Sequence, residues 1–131
     1  HIMTAFHHFG RGVAQAALGA TAEAERELAA YTAARKAIPA GAPFNLNTAE
    51  QIFTIADHVL AARLAAARGA SDAAIQEWRK AVEAEDTLAY NEPPDWFYPT
   101  RESLGAALLR LKRYEDADLV FRQDLEKNPD N

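Results

Sequence analysis

The stretch RESLGAALLRLKRYEDADLVFRQDLEKNP, residues 101–129, decides how this chain is read. It divides into the end of one helix, which starts near Trp96 and stops near Leu111, and a second helix from about Tyr114 to Lys127. Asn128 and Pro129 close the second helix, because proline has no N–H to donate and cannot continue the ladder. Two consecutive helices joined by a short turn make a helical hairpin. The question for the rest of the chain is whether that unit recurs.

It does. A helix from about Thr4 to Leu18 ends at "ALGAT", where Gly19 lies just past the helix end and Thr21 is a candidate cap for the next helix. That next helix runs through "AEAERELAAYTAARKAI" and stops at Pro39. Thr48 and Gln51 have capping-box spacing, so a third helix starts near Thr48 and continues to Arg68, with Gly69 ending it. Ser71 and Asp72 offer a cap and a negative first turn to a fourth, whose apolar face is Ala74, Ile75, Trp78, Ala81 and Val82 and which fades after Asp86. Strand alternation is nearly absent. The fold expected is all-α: six helices in three hairpins, with proline-bearing connections at 39–47 and 88–95.

The last hairpin carries a spacing with a precedent. Leu104 and Gly105 stand together, Leu108 follows three residues after the glycine, Ala117 and Phe121 are four apart, and Pro129 comes eight later. This pattern resembles the tetratricopeptide repeat family. The same template over residues 55–87 matches Ala61, Ala62, Ala65, Gly69, Ala74 and Trp78, with Asp86 where the closing proline would stand; over 5–38 it matches Gly12, Gly19 and Ala24, with Leu28 in the aromatic slot. Equivalent starts at Ala5, Ile55 and Tyr98 give spacings of 50 and 43 residues, against about 34 for the family. The surplus lies in the two connections.

The resemblance implies a right-handed superhelix of three stacked hairpins forming one domain over residues 4–131. Gly105 and Ala117 would then sit where paired helices approach closely, and Leu104, Leu108 and Phe121 would fill the space between neighbouring hairpins. Phe121→Ala or Trp78→Ala is expected to cost about 3–5 kcal/mol if both rings are buried. The opening "HIM" reads as a tag remnant. With no polar helix after the third hairpin, the chain reads as a piece of a longer array, or as one whose open end is covered by a second copy of itself.

Bulk composition narrows the function. With 131 residues, 49% hydrophobic and 25% charged, the chain suits one soluble domain. Its net charge of −5, with Lys and Arg interspersed among acids, lacks the basic stripe a nucleic acid demands. No apolar run is long enough to span a bilayer. The absence of cysteine excludes thiolate metal sites and disulfides but leaves the compartment open, with the cytoplasm favoured. No phosphate-cradling glycine loop or nucleophile elbow is present, so neither catalysis nor a cofactor is expected.

In the family resembled, the first helix of each hairpin lines an inner groove. Carried over, the groove residues are Phe6, Phe9 and Val13 from the first unit, Ala56, Val59 and Arg63 from the second, and Glu102, Ala106 and Arg110 from the third. Some members hold a partner's terminal carboxylate with polar clamp residues in these slots. Here Phe9, Val13 and Val59 replace them, so an extended or helical protein segment with apolar anchors suits the lining better. Phe6 and Phe9 could equally be core.

His8, His58 and Arg101 occupy one slot in successive units, and stacking should align them in a polar row. With Glu92 the two histidines would offer ligands zinc accepts, though no pair has the spacing of a zinc-binding helix; a hydrogen-bonded seam is the alternative. "YNEPPDW", residues 90–96, reads as a rigid spacer with an aromatic anchor, or with Glu92 and Asp95 as an acidic lip. Asp95 could cap an early turn through Trp96 to Tyr98, or Pro99 could occupy the first position of the fifth helix with Glu102 near its positive end. The chain is thus expected to be an interaction module for a protein or peptide partner. A self-associating scaffold segment and a metal or enzymatic site on His8, His58 and Glu92 are the alternatives.

Overall fold

The computed structural model describes residues 1–89, 94–96 and 98–128, so Glu92, Phe97 and Pro129 lie outside the described residues. Within them the chain is all-α, with helices α1 (Ile2–Ala17), α2 (Thr21–Lys36), α3 (Ala49–Ala67), α4 (Ser71–Glu85), α5 (Thr100–Arg110) and α6 (Tyr114–Lys127). The pairs α1/α2, α3/α4 and α5/α6 form three hairpins; α1 and α2 pack on α3, and α4 packs on α5. None of the described helices is long and apolar enough to cross a membrane.

The three hairpin turns share one geometry. In each, the residue after the C-cap adopts positive φ: Gly19 at 74°, Gly69 at 76° and Lys112 at 61°. In each, two backbone bonds tie the turn down. Gly19 and Ala20 donate to Ala16 and Gln15, Gly69 and Ala70 to Ala66 and Ala65, and Lys112 and Arg113 to Leu109 and Leu108. This is the Schellman arrangement, and it satisfies carbonyls that the helix end leaves open. It also corrects the expected caps. Ala20, Ala70 and Arg113, already fixed by the turn, become the N-caps of α2, α4 and α6, so Thr21 and Ser71 fall one position inside their helices and cap nothing.

A lysine in this left-handed region carries a Cβ penalty that glycine avoids. Lys112→Gly is therefore expected to raise stability by about 1 kcal/mol, measured by urea unfolding. The same change at exposed helical Lys80 is expected to lower it by a similar amount.

Successive hairpins also place equivalent side chains alike. Ala24, Ala74 and Ala117 are all buried where paired helices approach, and Leu28, Trp78 and Phe121 come one turn later and all join the core. Gly105 is required here: a Cβ on it would lie 2.5 Å from the Phe121 ring. Phe121 therefore packs across its own hairpin, and it is half-buried, so the full cost expected from its removal does not apply. The main core is built from the α3 face of Ile52, Phe53, Ile55, Leu60 and Leu64, closed by Ala5, Phe9 and Tyr31.

Two further differences from the sequence expectation lie in the connections. Residues 43–48 form a minimal antiparallel ribbon, Pro43–Phe44 with Asn47–Thr48, turned by Asn45 at φ 54°. Asparagine tolerates that region, and two-residue strands are too short to leave an alternating pattern. The Thr48–Gln51 capping box then starts α3 as expected. At the other connection, Asp95 accepts from Asn45 Nδ2 and Asn47 Nδ2, both at 2.8 Å, and so joins the two connections, while the expected turn through Trp96 to Tyr98 runs through Phe97, outside the described residues. Pro99 takes the N-cap position of α5 and Glu102 lies in its first turn.

The first turn of α5 is held by the preceding hairpin. Glu85 accepts from Thr100 N at 2.7 Å and Thr100 Oγ1 at 2.6 Å. Burial pushes the Glu85 carboxyl above the usual carboxylate range, against the pull of the Thr100 hydrogen bonds. A raised acid favours its protonated form in the folded state, so the stability it contributes is complete below the unfolded-state carboxylate range and is lost as pH rises through the raised value. Glu85→Gln keeps an acceptor for Thr100 and cannot ionise. Its melting temperature is expected to gain on the wild type between pH of about 4 and neutrality, and a constant difference across that range would contradict the assignment.

Candidate binding site

Helix periodicity brings Phe9 and Val13 onto one face of α1, and Val59 and Arg63 onto one face of α3. The packing of α1 on α3 sets these pairs side by side, where they line one cavity of about 240 Å³. Trp78 of α4, Trp96 and Tyr98 of the second connection, and Thr100 and Ser103 of α5 complete the wall. Four of the residues expected to line a groove thus meet in one place. Trp96 is buried, its ring 5.8 Å from that of Phe9 and inclined at 70°, so the spacer's aromatic anchor rests on the first hairpin.

The other expected groove residues sit elsewhere. Phe6 is half-buried, 4.7 Å from Phe53 and 6.2 Å from Phe44, which makes it core under the ribbon. Ala56 is wholly buried. Glu102 engages Tyr98, whose hydroxyl is pushed up by burial and then by that carboxylate. Arg110 is exposed and borders a neighbouring depression with Ala66, Ala74, Ile75, Trp78 and Leu111.

Arg63 is the charged residue of the cavity lining. Its guanidinium lies 5.1 Å from the centre of the Trp78 ring, a cation–π arrangement. Its Nε is buried without a hydrogen-bond partner among the described residues. Burial, followed by the nearby positive charge of Arg110, lowers its proton affinity from the usual arginine value. The acidic chain supplies carboxylates to other arginines: Glu27 to Arg11, Glu50 and Asp57 to Arg35, Glu25 to Arg68, and Asp86 to Arg101. Among the described residues none pairs with Arg63 or Arg110.

The expected polar row takes a different form. His8 Nδ1 lies 2.6 Å from Glu27 and His58 Nδ1 2.8 Å from Glu77, each bond crossing its own hairpin. In the third hairpin Val120 stands where those glutamates stand. Arg101 turns to Asp86 instead, with bonds of 2.6 and 2.7 Å. These are repeated struts. Among the described residues no hydrogen bond joins His8 to His58, and no group of three His, Cys, Asp or Glu could hold a metal ion. Glu92, the third proposed ligand, lies outside the described residues.

Sequence reasoning missed Trp78 and Trp96 as lining residues. Trp78 reads as core because it follows the helical apolar pattern. Trp96 reads as a spacer anchor, and nothing local reveals that it reaches α1. A different missed feature is the network in which Tyr31 donates to Asp57 at 2.6 Å while Arg35 bridges Asp57 and Glu50. Its members lie on α2 and α3, far apart along the chain. No protein-family model matches the chain, and comparison with curated proteins and with solved structures finds no significant match.

Proposed function

We propose that this chain is a non-catalytic interaction module, a tetratricopeptide-like array that holds a segment of a partner protein against α1, α3 and α5. The observation that carries this reading is the cavity itself. Phe9, Val13 and Val59 present apolar surface, Trp78 and Trp96 wall it with aromatic rings, and Arg63 supplies a cation that no described carboxylate neutralises. Pockets of this composition take an apolar side chain and orient it by a small number of polar contacts. Aromatic and arginine residues are also those that dominate binding energy at interfaces.

The test is selection of random peptides, capped at both ends, on the immobilised chain. Enriched peptides should lose binding when Val13, half-buried at the cavity mouth, becomes glutamate, while helicity and melting temperature are retained. Enriched peptides that bind Val13→Glu unchanged would show that the segment is held elsewhere.

A further inference from the structure

We infer that the segment bound in this cavity is chosen for an internal acidic side chain, aspartate or glutamate, set one or two residues from the apolar side chain that fills the space between Phe9, Val59, Trp78 and Trp96. This rests on the binding role proposed above and adds the chemistry of the partner.

Three observations carry it. The first is charge. In a chain of net charge −5, seven of the ten arginines are matched to carboxylates; Arg79 and the two that border this face, Arg63 and Arg110, are not matched among the described residues. A half-buried guanidinium held beside a second cation is offset in the free protein by the Trp78 ring alone and by no described carboxylate. An incoming carboxylate supplies that countercharge, and gains more at a partly desolvated site than at an open surface. The second is geometry. The centre of the Trp78 ring lies 5.1 Å from the guanidinium carbon, Nε is buried, and no described residue hydrogen-bonds to the guanidinium. A planar guanidinium whose Nη groups are unbonded is matched to a carboxylate better than to a neutral acceptor.

The third separates an internal carboxylate from a chain terminus. Arg63 also borders a shallow depression with Ala16, Gly19 and Ala66, and Trp78 borders another that reaches Arg110. The two depressions share Ala66, so open surface continues from the cavity past Arg63 toward the hairpin turns. A segment whose apolar side chain fills the cavity can run on past Arg63 in that direction, and a carboxylate placed mid-chain is a side chain.

The capped peptides selected on the wild type are the probes. Trp78 and Trp96, the chain's two tryptophans, both line the cavity, so intrinsic fluorescence reports occupancy. The expected result is enrichment of Asp or Glu beside a large apolar residue. Changing that acid to its amide, or Arg63→Gln, should each weaken binding about 10- to 100-fold. The two changes together should cost little more than either alone, because they remove the same contact.

Peptides that lack an acid, or that are indifferent to Arg63→Gln, yet are lost with Val13→Glu would overturn the acidic preference and leave the groove standing. Binding that requires a free C-terminus would overturn the internal placement. Saturation by 3-phenylpropionate alone at concentrations equal to the peptides would make this a small-molecule site and overturn it as well. Failure to enrich any peptide, or binding untouched by Val13→Glu, would remove both this inference and the proposed function.

Discussion

Trp78→Ala should lower the free energy of unfolding by about 3–5 kcal/mol, the usual cost of emptying a buried aromatic site. The indole is 2% exposed, lies between α3 and α5, and carries Arg63 against its face. Its loss leaves a cavity where α4 meets the third hairpin and removes the surface that holds the guanidinium. Urea unfolding followed by circular dichroism measures the effect without relying on the deleted fluorophore. Trp78→Phe keeps a ring and should retain more than half of the lost stability. A loss below about 1 kcal/mol for the alanine variant would mean that the site collapses around the gap, contrary to the tight packing described.

Trp96→Ala should have an effect of comparable size, about 3 kcal/mol or more, although Trp96 belongs to no helix. It is 4% exposed and rests edge-on against Phe9, tying the connection after α4 back onto α1. The pairing predicts a specific signature. In a double-mutant cycle with Phe9→Ala, the two rings should show a coupling of about 0.5–1.5 kcal/mol, the range for edge-to-face aromatic pairs beyond area burial. Strict additivity would place Trp96 in a separate environment. Peptide binding should also fall, since one wall of the cavity goes with the ring.

The two substitutions differ in how readable their sites are. Trp78 lies on the repeating apolar face of α4, and its equivalence to Leu28 and Phe121 follows from spacing along the chain. Trp96 lies in a proline-bearing spacer, where periodicity says nothing about direction. The helices were legible because alanine-rich segments with glycine and proline punctuation leave few local alternatives. Their N-caps were misplaced by one residue at Thr21 and Ser71 because the Schellman turn, a three-dimensional device, uses up the preceding residue. Of the candidate site, Phe9, Val13, Val59 and Arg63 were legible as helix-face positions. Phe6 was drawn instead into the core by Phe53 and by a ribbon too short to read.

Local chemistry along the chain was enough to set the helices, their pairing into three hairpins and the small residues at their close approaches, because each depends on contacts a few residues to a few turns apart. Folding in three dimensions settled the rest. It placed Trp96 on Phe9, bound Asp95 to Asn45 and Asn47, paired His8 and His58 with glutamates of their own hairpins, and left Arg63 over Trp78 without a described carboxylate. Each of these joins residues from separate elements, and the energy of such a contact depends on how whole hairpins stack, a quantity that no short window of sequence contains.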